Sequence, residues 1–390
     1  DQICRDRYGV ENPKMRRFRY GVQVNSLGLT EQQPENNVYR ILIEMLAVTL
    51  SKKARARAVQ LPAWNEALGL PRPWDQQWSL RMQQIMAFET DLLEYEDLFD
   101  ENPAVGRKVE ALKESALAEL DLIDGMGGAI NAIEYMKSRL VESNAERIRK
   151  IEQCEITVIG VNRYQKSEVS PLTSGDEAVM VVDPKNEAEQ VSVLNHWRSK
   201  RNPQDVQKAL QDLYQAALNG INIMPPSIAA AKAGVTTGEW GDIVRKAFGQ
   251  YRGPTGVSAN SSNQTEGLDE IREAVAKVST KLGQKLRFLI GKPGLDGHSN
   301  GAEQIAIRAR DCGMEISYEG IRLTPDEIIS AVQAGQAHVI GLSILSGSHI
   351  ALMQDLIAKL SAANLSHIPV IVGGIIPEDD AKKLRKMGIS

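Results

Sequence analysis

The last hundred residues of the chain alternate with a regularity that leaves few folds open. Four apolar, strand-like runs, Leu286 to Gly291, Met314 to Tyr318, His338 to Leu342 and Ile368 to Val372, are each followed by a helical pattern. Such a βα repeat demands a parallel sheet with helices on both faces, because every parallel connection must cross over the sheet. The first of these helices places Ala302, Ile305, Ala306 and Ala309 at i, i+3, i+4 and i+7. The second carries a full start signal, with Thr324 as N-cap, Pro325 at N1 and Glu327 at N3. The last, Pro377 to Met387, has Glu378, Asp379 and Asp380 in its first turn, where the helix dipole favours acids. Residues 285–390 are expected to form a flavodoxin-like α/β domain. A further strand is expected after Ser390, and Asp1 is not an initiator Met, so the chain reads as a piece of a larger protein.

Ligands of open α/β sheets bind at the carboxyl ends of the strands, and three of these ends carry small or polar residues. After the first run comes Lys292-Pro-Gly-Leu-Asp-Gly-His-Ser-Asn-Gly301, after the third Ser343-Ile344-Leu345, and after the fourth Gly373-Gly374. Asp296 stands two residues before His298. A carboxylate so placed can accept one ring N–H and leave the other nitrogen for a metal. Gly294, Gly297 and Gly301 would let a bulky group approach the backbone. The bland alternative is a capping or surface pair in an ordinary strand-to-helix loop. His338 and His349 read as structural or surface residues.

The ordered set Asp-x-His-x-x-Gly, Ser-x-Leu and Gly-Gly resembles the cobalamin-binding domain of cobalamin-dependent mutases and methyltransferases. That resemblance implies that His298 is the lower axial ligand of cobalt, hydrogen-bonded to Asp296, with Lys292 close to the pair. Gly297, Ser299, Asn300 and Gly301 would border the same loop. Ser343, Leu345, Gly373 and Gly374 would line the slot for the displaced nucleotide tail. Elementary chemistry agrees, since a neutral imidazole is a good ligand for cobalt and a charged partner raises its basicity.

The rest of the chain sets the context. At 390 residues it is long enough for two or three domains. A net charge of −4 gives no basic excess to suggest nucleic acid. No apolar run approaches the ~20 residues of a membrane span. Cys4, Cys154 and Cys312 are far apart and odd in number, which suits a reduced cytoplasm and gives no zinc spacing. Residues 1–103 alternate strand-like runs (Tyr20 to Val24, Ala58 to Leu61) with helices such as Asn37 to Leu50. Residues 104–284 read as mainly helical, with Val109, Leu112, Ala116 and Leu120 on one stripe and a short strand expected at Ile156 to Val161. Gly253 to Gly267 reads as a linker.

The front region carries a second resemblance. Arg19-Tyr-Gly-Val-Gln23, Asn65-Glu-Ala-Leu-Gly-Leu-Pro71 and Gly160-Val-Asn-Arg-Tyr164 are similar to segments of the methylmalonyl-CoA mutase family, over essentially the whole chain. This implies that 1–103 is the C-terminal part of a (β/α)8 TIM-type barrel. It also implies that Ser26, Glu66 and Gly69 lie on the upper face of the corrin, and that Gln23, Arg19 and Gly21 belong to the substrate site. The family usually has His where Gly21 stands, and Asp-Arg where Ser299-Asn300 stand. Loss of an imidazole from the cavity wall leaves room for a larger acyl branch. Arg19-Tyr-Gly-Val-Gln23, His298-Ser-Asn-Gly301 and Glu319-Gly-Ile-Arg-Leu-Thr-Pro325 together resemble the ethylmalonyl-specific branch of the family, which implies an adenosylcobalamin-dependent radical mutase interconverting ethylmalonyl-CoA and methylsuccinyl-CoA, in which no residue need act as a nucleophile. Methylmalonyl-CoA or isobutyryl-CoA mutases, and a non-catalytic corrinoid carrier or regulatory subunit, are the alternatives. The resemblance further implies a cytoplasmic homodimer that binds acyl-CoA, with a G-protein chaperone for cofactor loading. On residues alone, Glu66 could equally start a helix, Gln23 could bond only backbone, Arg19 could belong to a solvated cluster with Arg16 and Arg17, and Trp64, Trp74 and Trp78 read as packing residues.

Overall fold

The computed structural model describes residues 1–168, 170, 172, 180, 183–249, 254–255, 268–294, 297–344, 349–374, 376 and 378–390. The protein is an α/β chain that divides into two compact units, 1–181 with 255–390, and 182–254.

The first unit begins with α1 (Gln2–Asp6), β1 (Tyr20–Gln23), α2 (Asn36–Leu50), β2 (Ala56–Gln60) and α3 (Pro73–Phe88). β1 and β2 are parallel neighbours joined through α2, so the segment contains two successive β/α units of the kind a (β/α)8 barrel repeats. Val24, Ile41, Met45, Leu61, Trp64 and two methionines of α3, Met82 and Met86, form its core. Trp64 is fully buried against Trp78, with ring centroids 5.9 Å apart, and Trp74 meets Trp78 edge-on at 5.2 Å. All three tryptophans pack. The strand register slips once. Tyr20 faces Ala56 but Gly21 faces Ala58, leaving Arg57 as the extra residue on β2.

Two long helices follow, α4 (Pro103–Gly125) and α5 (Ile133–Glu152). The apolar stripe of α4 is exposed at Val109 and Leu112. Ile156 to Val161 does not form the expected strand; only an isolated bridge between Ile159 and Arg163 is present. Asn162 is the reason. Its side chain accepts from the Val158 N–H and donates to the Ile151 and Ile156 carbonyls, folding the segment on itself. Arg40 and Gln33 then donate to the Ile159 and Tyr164 carbonyls.

The second unit is helical, with α6 (Pro184–Lys200), α7 (Pro203–Leu218), α8 (Met224–Lys232) and α9 (Thr237–Phe248). α7 buries Val206, Ala209, Leu213, Ala216 and Ala217 on one face. Within 104–284, α4 and α5 thus fall in the first unit and α6 to α9 make the second.

α10 (Asp269–Leu282) leads into β3 (Arg287–Gly291), α11 (Asn300–Asp311), β4 (Glu315–Tyr318), α12 (Pro325–Gly335), β5 (Val339–Ile344), α13 (His349–Ala362), β6 (Val370–Gly374) and α14 (Glu378–Lys386). The four described strands are parallel in the order β4-β3-β5-β6, the flavodoxin-like arrangement. Alternation along β3 divides the core. Phe288 and Ile290 pack with Ala302, Ala306 and Ala309 of α11, and Leu289 packs with α12 and α13. Ile305, although in the apolar pattern, is exposed. The capping box of Thr324 and Glu327 is present. His338 accepts the Arg287 N–H at 2.9 Å, and buried His349 pairs with Asp380 at 2.8 Å, so both are structural. Beyond the outer edge of β6, Ser390 donates to the Val370 carbonyl and accepts from the Val372 N–H.

Candidate functional site

Strand order reverses between β3 and β5, and the crevice at their carboxyl ends is the switch point where such sheets bind ligands. Lys292, the first residue after β3, is fully buried there. A buried ammonium is costly unless its protons are bonded. Its Nζ donates to the Ser343 carbonyl at 3.1 Å and to Ser343 Oγ at 3.3 Å, tying the end of β3 to the end of β5. The backbone on either side is clamped by the segment before α12. Lys292 N–H donates to Gly320, Leu323 N–H to Lys292, and Gly294 N–H to Leu323.

Beyond this clamp the loop opens to solvent. Gly297 and His298 are exposed, with the Arg322 guanidinium against Gly297. Ser299 and Asn300 run into α11. Ser299 Oγ lies 3.4 Å from Lys137 Nζ of α5, and the same ammonium lies 2.5 Å from the buried Glu303 carboxylate on α11. Gly301 backs onto Ser343 Oγ. Ser343 and Ile344 stand beside Gly373 and Gly374 in register. The two glycines do different work. A Cβ on Gly374 (φ 131°) would overlap the Ile344 carbonyl, whereas one on Gly373 would meet nothing within 4 Å. One permits the close approach of two strands; the other leaves space in front of them. Asp296 and Leu345 lie outside the described residues.

The front residues separate into two ends. Gln23 closes β1, Ser26 opens a short 3-10 turn (Ser26–Gly28), and Glu66 and Gly69 lie on the loop after β2. These four gather at the carboxyl ends of β1 and β2. Arg19 lies at the opposite, amino end of β1, and Gly21 lies within the strand with Ala58 3.7 Å from where its Cβ would be. The loop bearing Glu66 is held at both ends by Asp75 of α3. Its fully buried carboxylate accepts from Asn65 Nδ2 and from the Arg72 N–H, Nε and Nη2, all at 2.9–3.0 Å. Burial alone would raise the Asp75 carboxyl, but these bonds prevail and hold it below the usual carboxylate range. Glu66 behaves oppositely. Its side chain is accessible, yet the surrounding protein displaces enough water to push its carboxyl up, partly offset by the charge of His298.

An exposed imidazole on the loop after β3, with open space in front of Gly373 at the end of β6, suits a metal-bearing macrocycle. A metal already held by a ring needs one protein ligand. Among the described residues no three His, Cys, Asp or Glu side chains converge as an all-protein metal site.

Residues 1–250 match the model of the methylmalonyl-CoA mutase family, and residues 286–390 match the B12 binding domain. The chain belongs to the methylmalonyl-CoA mutase family. It is 68% identical over 390 residues to an ethylmalonyl-CoA mutase of Cereibacter sphaeroides, covering all of this chain and 60% of that protein. It is 60% identical over 392 residues to an ethylmalonyl-CoA mutase of Methylorubrum extorquens, covering all of this chain and 57% of that protein. The methylmalonyl-CoA mutase of Escherichia coli is 32% identical over 397 residues, covering 98% of this chain and 54% of that protein. The chain thus spans about three-fifths of the length of these two curated relatives.

Four residues around this candidate site were not anticipated from sequence. Glu303, Lys137 and Asp75 act by holding others, and Arg322 lies against Gly297. Only Asp75 left a trace, as an acid three residues after Arg72 in a helix opening with Pro73.

Proposed function

We propose that this chain supplies the cofactor module and part of the substrate barrel of an adenosylcobalamin-dependent mutase interconverting ethylmalonyl-CoA and methylsuccinyl-CoA. The observations that support the reading are the exposed His298 on the loop after β3, the buried Lys292 tying that strand end to Ser343, and the open space in front of Gly373. His298 would hold the cobalt through its imidazole. Lys292, by fixing Ser343 to the end of β3, would keep the tail slot open between Ser343 and Gly373. Glu66, Gly69 and Ser26, at the carboxyl ends of β1 and β2, would border the cofactor and exclude water, while Gln23 and Gly21 would border the acyl group. When bound, the cofactor supplies reversible radical hydrogen transfer, which no side chain of the chain offers. The protein's contribution is position and exclusion of solvent. The names carried by the two most similar relatives above support the ethylmalonyl substrate, and so does the missing side chain at Gly21.

The test is kcat/KM on ethylmalonyl-CoA, methylmalonyl-CoA and isobutyryl-CoA, with adenosylcobalamin, for the protein containing this chain. Ethylmalonyl-CoA should be preferred by at least tenfold, on the order of what one methylene in a pocket is worth. A preference for methylmalonyl-CoA overturns the substrate assignment. On the same reading the protein is a cytoplasmic homodimer loaded by a G-protein chaperone; its three free cysteines suit a reducing compartment.

A further inference from the structure

Along α2, Asn37, Ile41 and Met45 recur at four-residue spacing, and all three are fully buried. Ile41 and Met45 join the apolar core of the barrel segment. A polar amide on the same face is costly to bury unless each of its atoms is bonded. At Asn37 both are. Its Oδ1 accepts from the Thr30 N–H at 3.0 Å and from Arg40 Nη1 at 2.7 Å. Its Nδ2 donates to the Thr30 and Trp64 carbonyls, both at 2.9 Å. Two lone pairs and two protons are the full capacity of an asparagine amide. The Thr30 N–H and Arg40 can only donate, so the amide has one workable orientation.

The partners of Asn37 lie on two different loops. Thr30 closes the loop after β1, which carries Ser26, and Trp64 stands two residues before Glu66 on the loop after β2. By bonding both the N–H and the carbonyl of Thr30, Asn37 holds that backbone as the facing residue of a β-ladder would. Each loop also has an anchor of its own. Glu44 accepts the Asn25 N–H at 2.8 Å, and Ser79 donates to the Pro62 carbonyl at 2.6 Å. Asn37 joins what these anchors hold separately. Arg40, one turn further along α2, widens the connection by donating to Thr30 Oγ1 at 2.8 Å and to the Ile159 carbonyl at 2.9 Å. Gly160 then comes so close to Gln33 that a Cβ there would stand 3.1 Å from its side chain.

We infer that Asn37 is a positioning residue for the mutase reaction, fixing the loop of Ser26 against the loop of Glu66, and that Arg40 braces it from residues 156–164. The inference rests on the reading above, in which both loops border the cofactor. A misplacement of about 1 Å can cost on the order of 100-fold in rate, so two walls of one site gain from a common anchor. An apolar residue would fill the same volume but leave two carbonyls and an N–H buried without partners.

The test has two arms, both on the protein containing this chain. Hydrogen exchange without cobalamin reads the amides of residues 26–31 and 64–69. Asn37→Leu should speed exchange in both loops together, on the order of tenfold. Ile41→Val, a stability control on the same helix face, should leave both loops as in the wild type. Asn37→Asp keeps the acceptor for Thr30 and Arg40 but cannot donate, and covers the case in which Asn37→Leu misfolds; it should free the loop of Glu66 more than that of Ser26. In turnover with adenosylcobalamin, both Asn37 variants should lose kcat on the order of tenfold to a hundredfold with KM changed by less than about twofold, while Ile41→Val keeps both. Exchange that rises in one loop only for Asn37→Leu, or wild-type kcat in a folded Asn37 variant, overturns the inference. A wild type that turns over no acyl-CoA defeats the mutase reading instead, and the exchange arm still decides whether Asn37 joins the two loops.

Discussion

Replacing Asp75 by alanine should loosen the barrel segment where Glu66 sits. The carboxylate is fully buried and accepts from Arg72 and Asn65, so its removal strands donors at both ends of one loop. Losing one member of a buried ion pair costs about 3–5 kcal/mol. Arg72 keeps 29% of its side chain in water and can rehydrate, which places the cost near the lower limit, about 3 kcal/mol. At roughly 2–4 °C per kcal/mol for a unit of this size, the melting temperature should fall by roughly 6–12 °C. Tryptophan fluorescence suits the assay, because Trp64, Trp74 and Trp78 lie within or beside the loop. The pH dependence supplies a second check. Asp75 is held below its usual range, so its contribution is present above the unfolded value of about 3.9 and is lost as pH falls through the folded value. Wild type and variant should therefore converge below about pH 4. A difference under about 1 kcal/mol at neutral pH, or one undiminished in acid, would refute the reasoning.

Three further outcomes are expected. His298→Ala should weaken cobalamin binding by more than the about 10–100-fold typical of losing an outer partner, and should abolish nitrogen coupling from protein imidazole in the paramagnetic resonance of the reduced complex; coupling that survives removes His298 as ligand. Gly373→Leu should leave the melting temperature unchanged but block cobalamin, whereas Gly374→Ala should lower the melting temperature, because only the second Cβ overlaps Ile344; equal behaviour of the two contradicts the division of roles. Gly21→His should depress kcat/KM on ethylmalonyl-CoA relative to methylmalonyl-CoA by roughly 10- to 200-fold, since Ala58 leaves ordinary contact distance for the new Cβ; equal loss on both substrates means that Gly21 serves the barrel alone.

The flavodoxin-like domain was legible because its signals are local. Apolar runs, Thr324-Pro325 and the glycine pair each act within a few residues. The Ile156 to Val161 expectation failed for a reason of the same scale, since one side chain, Asn162, captured the backbone groups that a neighbouring strand would need. Lys137 lies beyond that kind of reading. It meets Ser299 across 162 residues of sequence, and nothing in an exposed-looking helix marks which lysine will do so. The front motif residues were legible only as a resemblance. Their placement at one strand end, and that of Arg19 at the other, required the parallel register of β1 and β2.

The attachment of α5 to α11 bears on how the cofactor module could be transplanted. Sequence similarity begins the module at residue 286, but Val141 completes one of its apolar layers, Lys137 neutralises Glu303, and Glu152 pairs with Arg308. A cut at residue 286 would hand the recipient a helix with a bare carboxylate and an uncovered seam beside the loop of His298. A chimera joining this module to another mutase barrel should therefore inherit α5 as well, or find its substitute in the host.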